Sequence, residues 1–204
     1  EIFFATDTKL YAYHEATGKL REISDLKKDE YTDNWKLFYC DGWIYYEMYD
    51  TEKENTWVFR INAESGEKED VCQGYLEGVS EDARYLFISN YDNDLSQLVL
   101  AVYEGDKSVK NLQAEANLQY CGNSGDYVFT MISDYSGETS SYQIFATKIS
   151  EPDVLLNLGD VPCLNEDGYW YEYPDMTQVL VDGEKGYFSL SYYAGTGMFY
   201  NGGC

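Results

Sequence analysis

The chain has 204 residues, with 14 Lys plus Arg against 37 Asp plus Glu, a formal net charge of −23 at pH 7. Such a chain repels phosphate backbones and anionic lipid, which argues against nucleic acid and membrane surfaces as partners. Its apolar residues, 44% of the total, are scattered, and no stretch approaches the roughly 20 needed to cross a bilayer, so no direct membrane insertion is expected.

One histidine, His14, and five cysteines without a CxxC pair leave little from which to build a zinc site. The odd cysteine count argues against a complete disulfide framework, so Cys40, Cys72, Cys121, Cys163 and Cys204 are expected to be reduced. Glu1 follows neither an initiator Met nor a basic-then-apolar leader. Any signal peptide or anchor is therefore expected to have been removed or to lie outside this chain. The acidity itself is accounted for by solubility.

Read in chain order, one pattern is written five times: an aromatic strand stopping at Asp, a variable loop, a second apolar strand, a Gly- or Pro-containing turn and a more polar third strand. The copies begin EIFFATD, WIYYEMYD, RYLFISNYD, DYVFTMISD and YWYEYPD. Their aspartates, Asp7, Asp50, Asp92, Asp134 and Asp175, recur every 41 to 43 residues, close to the period of propeller blades. Before each of the last four copies stands a short segment that reads as an innermost strand: KLFYCDG, LEGVSED, NLQYCGNSG and VPCLNEDG. Their Asp-Gly, Glu-Asp and Asn-Ser-Gly endings are hairpin chemistry between antiparallel neighbours. The first copy lacks this strand, and the C-terminal MFYNGG, which aligns with LFYCDG, is expected to supply it by pairing beside Ile2 to Ala5.

The expected fold is therefore all-β: a five-bladed β-propeller of four-stranded antiparallel blades, closed by the C-terminal strand completing the first blade. As a single domain over residues 1–204, its repeats run 1–34 plus 198–204, 35–75, 76–115, 116–160 and 161–197. The abundance of Tyr (22), Phe (9) and Trp (4) favours pleated surfaces. Only the charged connector from Leu26 to Trp35 reads as a possible helical turn. The WIYYEMYD/TWVFRINAESG pattern resembles the YWTD-like and TolB-like β-propellers of bacterial extracytoplasmic proteins, over the whole chain. That resemblance implies a propeller located outside the cytoplasm, secreted or anchored to the cell surface.

Loops after the second strands emerge on one face of a propeller, so the strand-ending aspartates and their aromatic neighbours are the candidate ligand residues. They are Tyr49, Asp50, Tyr91, Asp92, Asp94, Asp134, Tyr135 and Asp175, joined by Trp35, Tyr192 and Tyr193 from the loops between blades. Carboxylates and aromatic faces around a funnel suit a sugar or a hard cation. The competing role for each Asp is to cap its own hairpin by accepting backbone N–H bonds. Asp92, Asn93 and Asp94 form the best cation candidate, although the ligand spacing of an EF-hand loop is missing; no metal and no cofactor is expected.

Catalytic patterns are missing as well. No GxSxG accompanies a usable histidine, and His14 reads as a partly buried sheet residue. AGTGMFYNGG lacks the Lys and the following helix of a phosphate loop. The first inner strand, MFYNGG, has no acid where the glycosidase propellers place one. The function expected is a non-enzymatic, monomeric binding or scaffolding propeller with a protein or carbohydrate ligand on its loop face. The alternative is a carbohydrate-binding or glycoside-hydrolysing propeller using funnel carboxylates.

Overall fold

The computed structural model describes residues 1–26, 36–94, 97–105, 107–112, 118–134, 141–151, 153–160, 172–182, 185–194 and 198–202, with the backbone alone at 109–110, 133–134, 141 and 172–202. The possible helical turn, the inner strand expected at VPCLNEDG, Trp35 and Tyr135 lie outside the described residues, apart from Leu26 itself.

All regular elements among the described residues are strands, grouped in five sheets. The first sheet has the order β1 (Ile2–Ala5), β2 (Lys9–His14), β3 (Lys19–Asp25). The second runs β4 (Phe38–Cys40), β5 (Trp43–Asp50), β6 (Asn55–Asn62), β7 (Lys68–Gln73). The third is formed by β8 (Tyr75–Val79), β9 (Tyr85–Asp92), β10 (Gln97–Glu104) and β11 (Lys107–Leu112). The fourth is β12 (Leu118–Ser124), β13 (Tyr127–Asp134), β14 (Ser141–Lys148), β15 (Leu155–Asp160), and the fifth is β16 (Glu172–Asp182), β17 (Lys185–Ala194), β18 (Met198–Gly202). Each sheet is a meander in sequence order. The chain divides into two compact units, Glu1–Asn90 with Tyr103–Val109, and Tyr91–Val102 with Lys110–Cys204.

The turns follow the expected chemistry. Cys40 pairs with Trp43, leaving Asp41 and Gly42 as a two-residue loop in which both have positive φ, 47° and 79°, the geometry that suits an Asp-Gly hairpin. A β-bulge recurs between the second-last and last strands: the register shifts between Leu10 and Tyr11, between Val58 and Phe59, and between Ile144 and Phe145. One extra residue at the same place strengthens the twist of each outer strand.

In the first unit, alternation sends the two faces of the second sheet into two cores. Ile44, Tyr46, Phe59 and Ile61 pack with Leu10 and Leu26, and Tyr45, Val58 and Cys72 pack with Leu76, Leu86 and Ile88. The second sheet thus lies between its two chain neighbours, and each such side chain contributes about 1.5–3 kcal/mol by leaving water. Arg21 of β3 donates from Nη1 to the Ala63 carbonyl at 2.7 Å, which ties the first sheet to the turn after β6.

Three expectations are corrected. The closing strand does not join the first sheet: β18 pairs with β17, with Tyr192 opposite Tyr200 and Ala194 opposite Met198, and β2 is the one partner of β1 among the described residues. The reason is local, since only Gly195 to Gly197 separate β17 from β18, so a hairpin forms with far less loop-closure entropy than a pairing across the whole chain. Second, Asp175 does not end a strand; β16 runs through it to Asp182, irregular between Glu172 and Asp175 and between Met176 and Gln178. A single residue, Met176, separates Asp175 from Thr177, too few for a reversal. Third, His14 is exposed at the end of β2, its carbonyl accepting from the N–H groups of Thr17 and Gly18.

Candidate functional site

The turn from β5 to β6 is built on Asp50. Its Oδ1 accepts the backbone N–H of Glu52 at 2.9 Å and of Lys53 at 3.2 Å, an Asx turn that closes the hairpin. The turn brings Lys53 back over the sheet. Its Nζ donates to Asp70 Oδ2 at 2.6 Å, stands 3.4 Å from Asp50 Oδ2 and lies 3.8 Å from the centre of the Trp57 ring. Lys68, one strand over, places its Nζ 4.1 Å from the centre of the Phe59 ring and 5.7 Å from that of Tyr46.

These side chains meet because the register places Tyr46 opposite Phe59, Phe59 opposite Asp70 and Ile61 opposite Lys68. Alternation then carries Met48, Asp50, Phe59, Lys68 and Asp70 to one face. Met48, Tyr49, Asp50, Thr51, Glu52, Phe59, Lys68 and Asp70 line a cleft of about 440 Å³, a size that suits a small ligand or a single side chain.

Protonation follows from these contacts. Burial pushes the Asp50 carboxyl up, but the N–H groups of Lys53 and Glu52 and the Lys53 ammonium outweigh it and hold it below the usual carboxylate range. For Lys53 burial is likewise opposed and outweighed, here by Asp70 and Asp50, so its pKa is raised. Lys68 moves the other way: loss of hydration over the rings lowers it, more than Asp70 and Asp50 raise it. The cleft lining carries three acidic side chains, Asp50, Glu52 and Asp70, and one basic one, Lys68, with Lys53 bonded to Asp70 beside it.

The sequence-based candidates separate accordingly. Tyr49 and Asp50 line the cleft. Tyr91 and Asp92 occupy the corresponding end of β9, where Asp92 Oδ1 accepts the Asp94 N–H at 2.9 Å, Tyr91 is exposed, and Asn93 and Asp94 point into solvent. Asp134 ends β13 opposite Ser141. Tyr192 and Tyr193 lie within β17 rather than on a loop, and Asp175 lies within β16 opposite Ser191. In the first sheet Thr6 caps the turn, its Oγ1 accepting the Lys9 N–H at 3.1 Å. No group of three or more His, Cys, Asp or Glu suited to a metal ion occurs among the described residues.

Reading the sequence missed Lys53, Phe59, Lys68 and Asp70. Their signal was the period-two alternation of KED against TWVFRI, legible only once the bulge at Val58/Phe59 is known. Away from the cleft, on the opposite face of β5, the Glu47 carboxylate accepts the Leu76 N–H. Burial raises its pKa despite that bond and the nearby Lys36.

The chain superposes on a solved structure described as "The beta-propeller domain of the Trilobed protease from Pyrococcus furiosus reveals an open velcro topology", with a TM-score of 0.58, 9% sequence identity and coverage of 96% of this chain and 74% of that one. The fold is that of a β-propeller. At this identity the likeness speaks for the fold alone. No protein-family model and no curated protein matches the chain.

Proposed function

We propose that the chain is a non-enzymatic propeller binding module, monomeric and located outside the cytoplasm, which takes a protein ligand through the cleft at the end of β5. The reading has five blades, one for each sheet. It also has terminal sheets that exchange no strand, in keeping with β18 pairing to β17 and with the open velcro topology stated for the similar propeller domain.

One observation carries the reading: the carboxylates best placed for chemistry are already committed to structure. Asp50 caps a turn and Asp70 holds Lys53, and Asp50 sits below the usual carboxylate range, the opposite of what a general acid needs. A surface of fixed charges with carboxylates in excess suits a partner's Arg or Lys side chain. The second reading is a carbohydrate, favoured by Tyr49 lying beside Asp50 and Glu52 in the lining.

Calorimetric titration of the chain with an arginine-containing peptide and with a neutral oligosaccharide, run beside an assay with aryl glycosides, separates these. The expected result is saturable peptide binding without aryl alcohol release. Saturable binding of the oligosaccharide alone selects the second reading, and steady release of aryl alcohol overturns the non-enzymatic one.

A further inference from the structure

The outer strand of the fourth sheet differs from its counterparts. β3 and β7 each half-bury or bury several of their residues, whereas every residue of β15 is exposed. Yet the leucines of β15 and the Val154 before it are apolar: Val154 is 49% exposed, Leu155 37%, Leu156 47% and Leu158 48%. β15 stands at the edge of its sheet, with β14 its one pairing partner among the described residues. Edge strands are ordinarily guarded by Lys, by Pro, by inward charges or by a bulge, and β15 has only the bulge, at Leu158. None of these residue types occurs between Val154 and Gly159.

Its charges lie at the two ends. Asp153 precedes the apolar run and Asp160 closes it, both exposed, with Asp160 accepting from Gln143 Nε2 at 2.8 Å. This arrangement decides between occupants. A second copy pairing edge to edge would bring another acidic strand to the same place, and two chains of −23 already repel. An extended segment with apolar residues between two cations meets an acid at each end instead.

We propose that the edge of β15 that no described strand pairs with docks an extended, Lys- or Arg-flanked apolar segment of a partner protein by strand addition. Backbone N–H and C=O groups supply the pairing, and Leu155 and Leu156, on opposite faces, supply contacts for alternate side chains. The bulge bounds the site. Leu158 is the extra residue between the Ile144–Gly159 and Phe145–Asn157 pairs, and Asn157 Oδ1 accepts the Gly159 N–H at 2.7 Å, so the regular ladder ends at Asn157. This surface is separate from the cleft and stands whether or not the cleft binds.

The test uses the full chain, a synthetic alternating Val/Thr peptide flanked by Lys, the same peptide flanked by Glu, and a Lys-flanked version N-methylated on alternate amides. Amide-resolved NMR is expected to show saturable shifts over Val154 to Asn157 with the Lys-flanked peptide, at least tenfold weaker binding of the Glu-flanked one, and none of the N-methylated one. Leu156→Lys is expected to abolish binding without loss of folding, since that side chain is already exposed. Equal binding of the N-methylated peptide would overturn strand addition. Shifts that track protein concentration instead, with a dimer lost in Leu156→Lys, would assign the edge to a second copy. No shift over these amides would refute the site.

Discussion

Gly66, in the turn between β6 and β7, lies against the carbonyl oxygen of Ile23 in β3: a Cβ at Gly66 would overlap that oxygen, and the residue has a φ of +72°. Two demands fall on one position, a left-handed backbone and a close approach of two sheets. Gly66→Ala is expected to destabilise the chain by about 2 kcal/mol or more, because the clash is with backbone and cannot be relieved by a rotamer change. Gly18→Ala is the control; it has a similar φ of +65° but open space around it. Urea unfolding of the two variants should separate strain alone from strain plus clash, and equal losses would show that the Ile23 contact contributes nothing.

Glu47 gives a pH dependence of defined sign. Burial raises its folded-state pKa above the ordinary 4.5, with Glu77 adding to the shift and the Leu76 N–H and Lys36 opposing it. The stability it contributes is fully present below the unfolded-state value and is lost as pH rises through the folded value. Above the unfolded-state value, holding this partly buried group in place costs stability, whether by keeping its proton or by ionising it out of water. Glu47→Gln keeps an acceptor for Leu76 and removes the charge, so it should raise Tm at pH 7. The advantage should shrink toward zero as pH falls to 4, and a Tm difference unchanged between pH 7 and pH 4 would contradict this.

Asp92 tests the capping role outside the cleft. Its Oδ1 accepts the Asp94 N–H, so Asp92→Ala should lower stability by roughly 0.5–2 kcal/mol, as lost caps do. Calcium should leave both melting temperatures where they are; a calcium-dependent rise present in the parent and lost in the variant would make Asp92 a metal ligand.

Cys40, Cys72 and Cys121 form no disulfides. Cys72 is buried, and burial raises the Cys40 thiol pKa above its usual value, so both should react slowly with a thiol reagent in the native state. Under denaturing, non-reducing conditions at least three thiols should react at once; fewer would reveal a bridge.

The pattern of strands was legible because it rests on local chemistry. Asp50, Asp92 and Asp134 do end β5, β9 and β13, and Asp41-Gly42 does turn between β4 and β5. What could not be read depends on competition between pairings. The likeness of MFYNGG to LFYCDG gave β18 the character of an inner strand, but the short loop before it decided its partner. In the cleft, the Asp50 turn was visible as a motif. Lys68 and Asp70 were not, because the bulge between Val58 and Phe59 sets which β7 residues share a face with Phe59.

Binding in the cleft at the end of β5 is tested most directly by following the amides of Tyr49 to Lys53 in the full chain as an arginine-containing peptide is added, beside the same titration of Asp70→Asn. Asp70 holds Lys53 in place and supplies one of the three carboxylates of the lining. Saturable shifts centred on those amides, with affinity at least threefold weaker in Asp70→Asn and weakened by salt, are the expected result. Shifts absent from Tyr49 to Lys53 at saturation, or an affinity indifferent to Asp70→Asn, would contradict it.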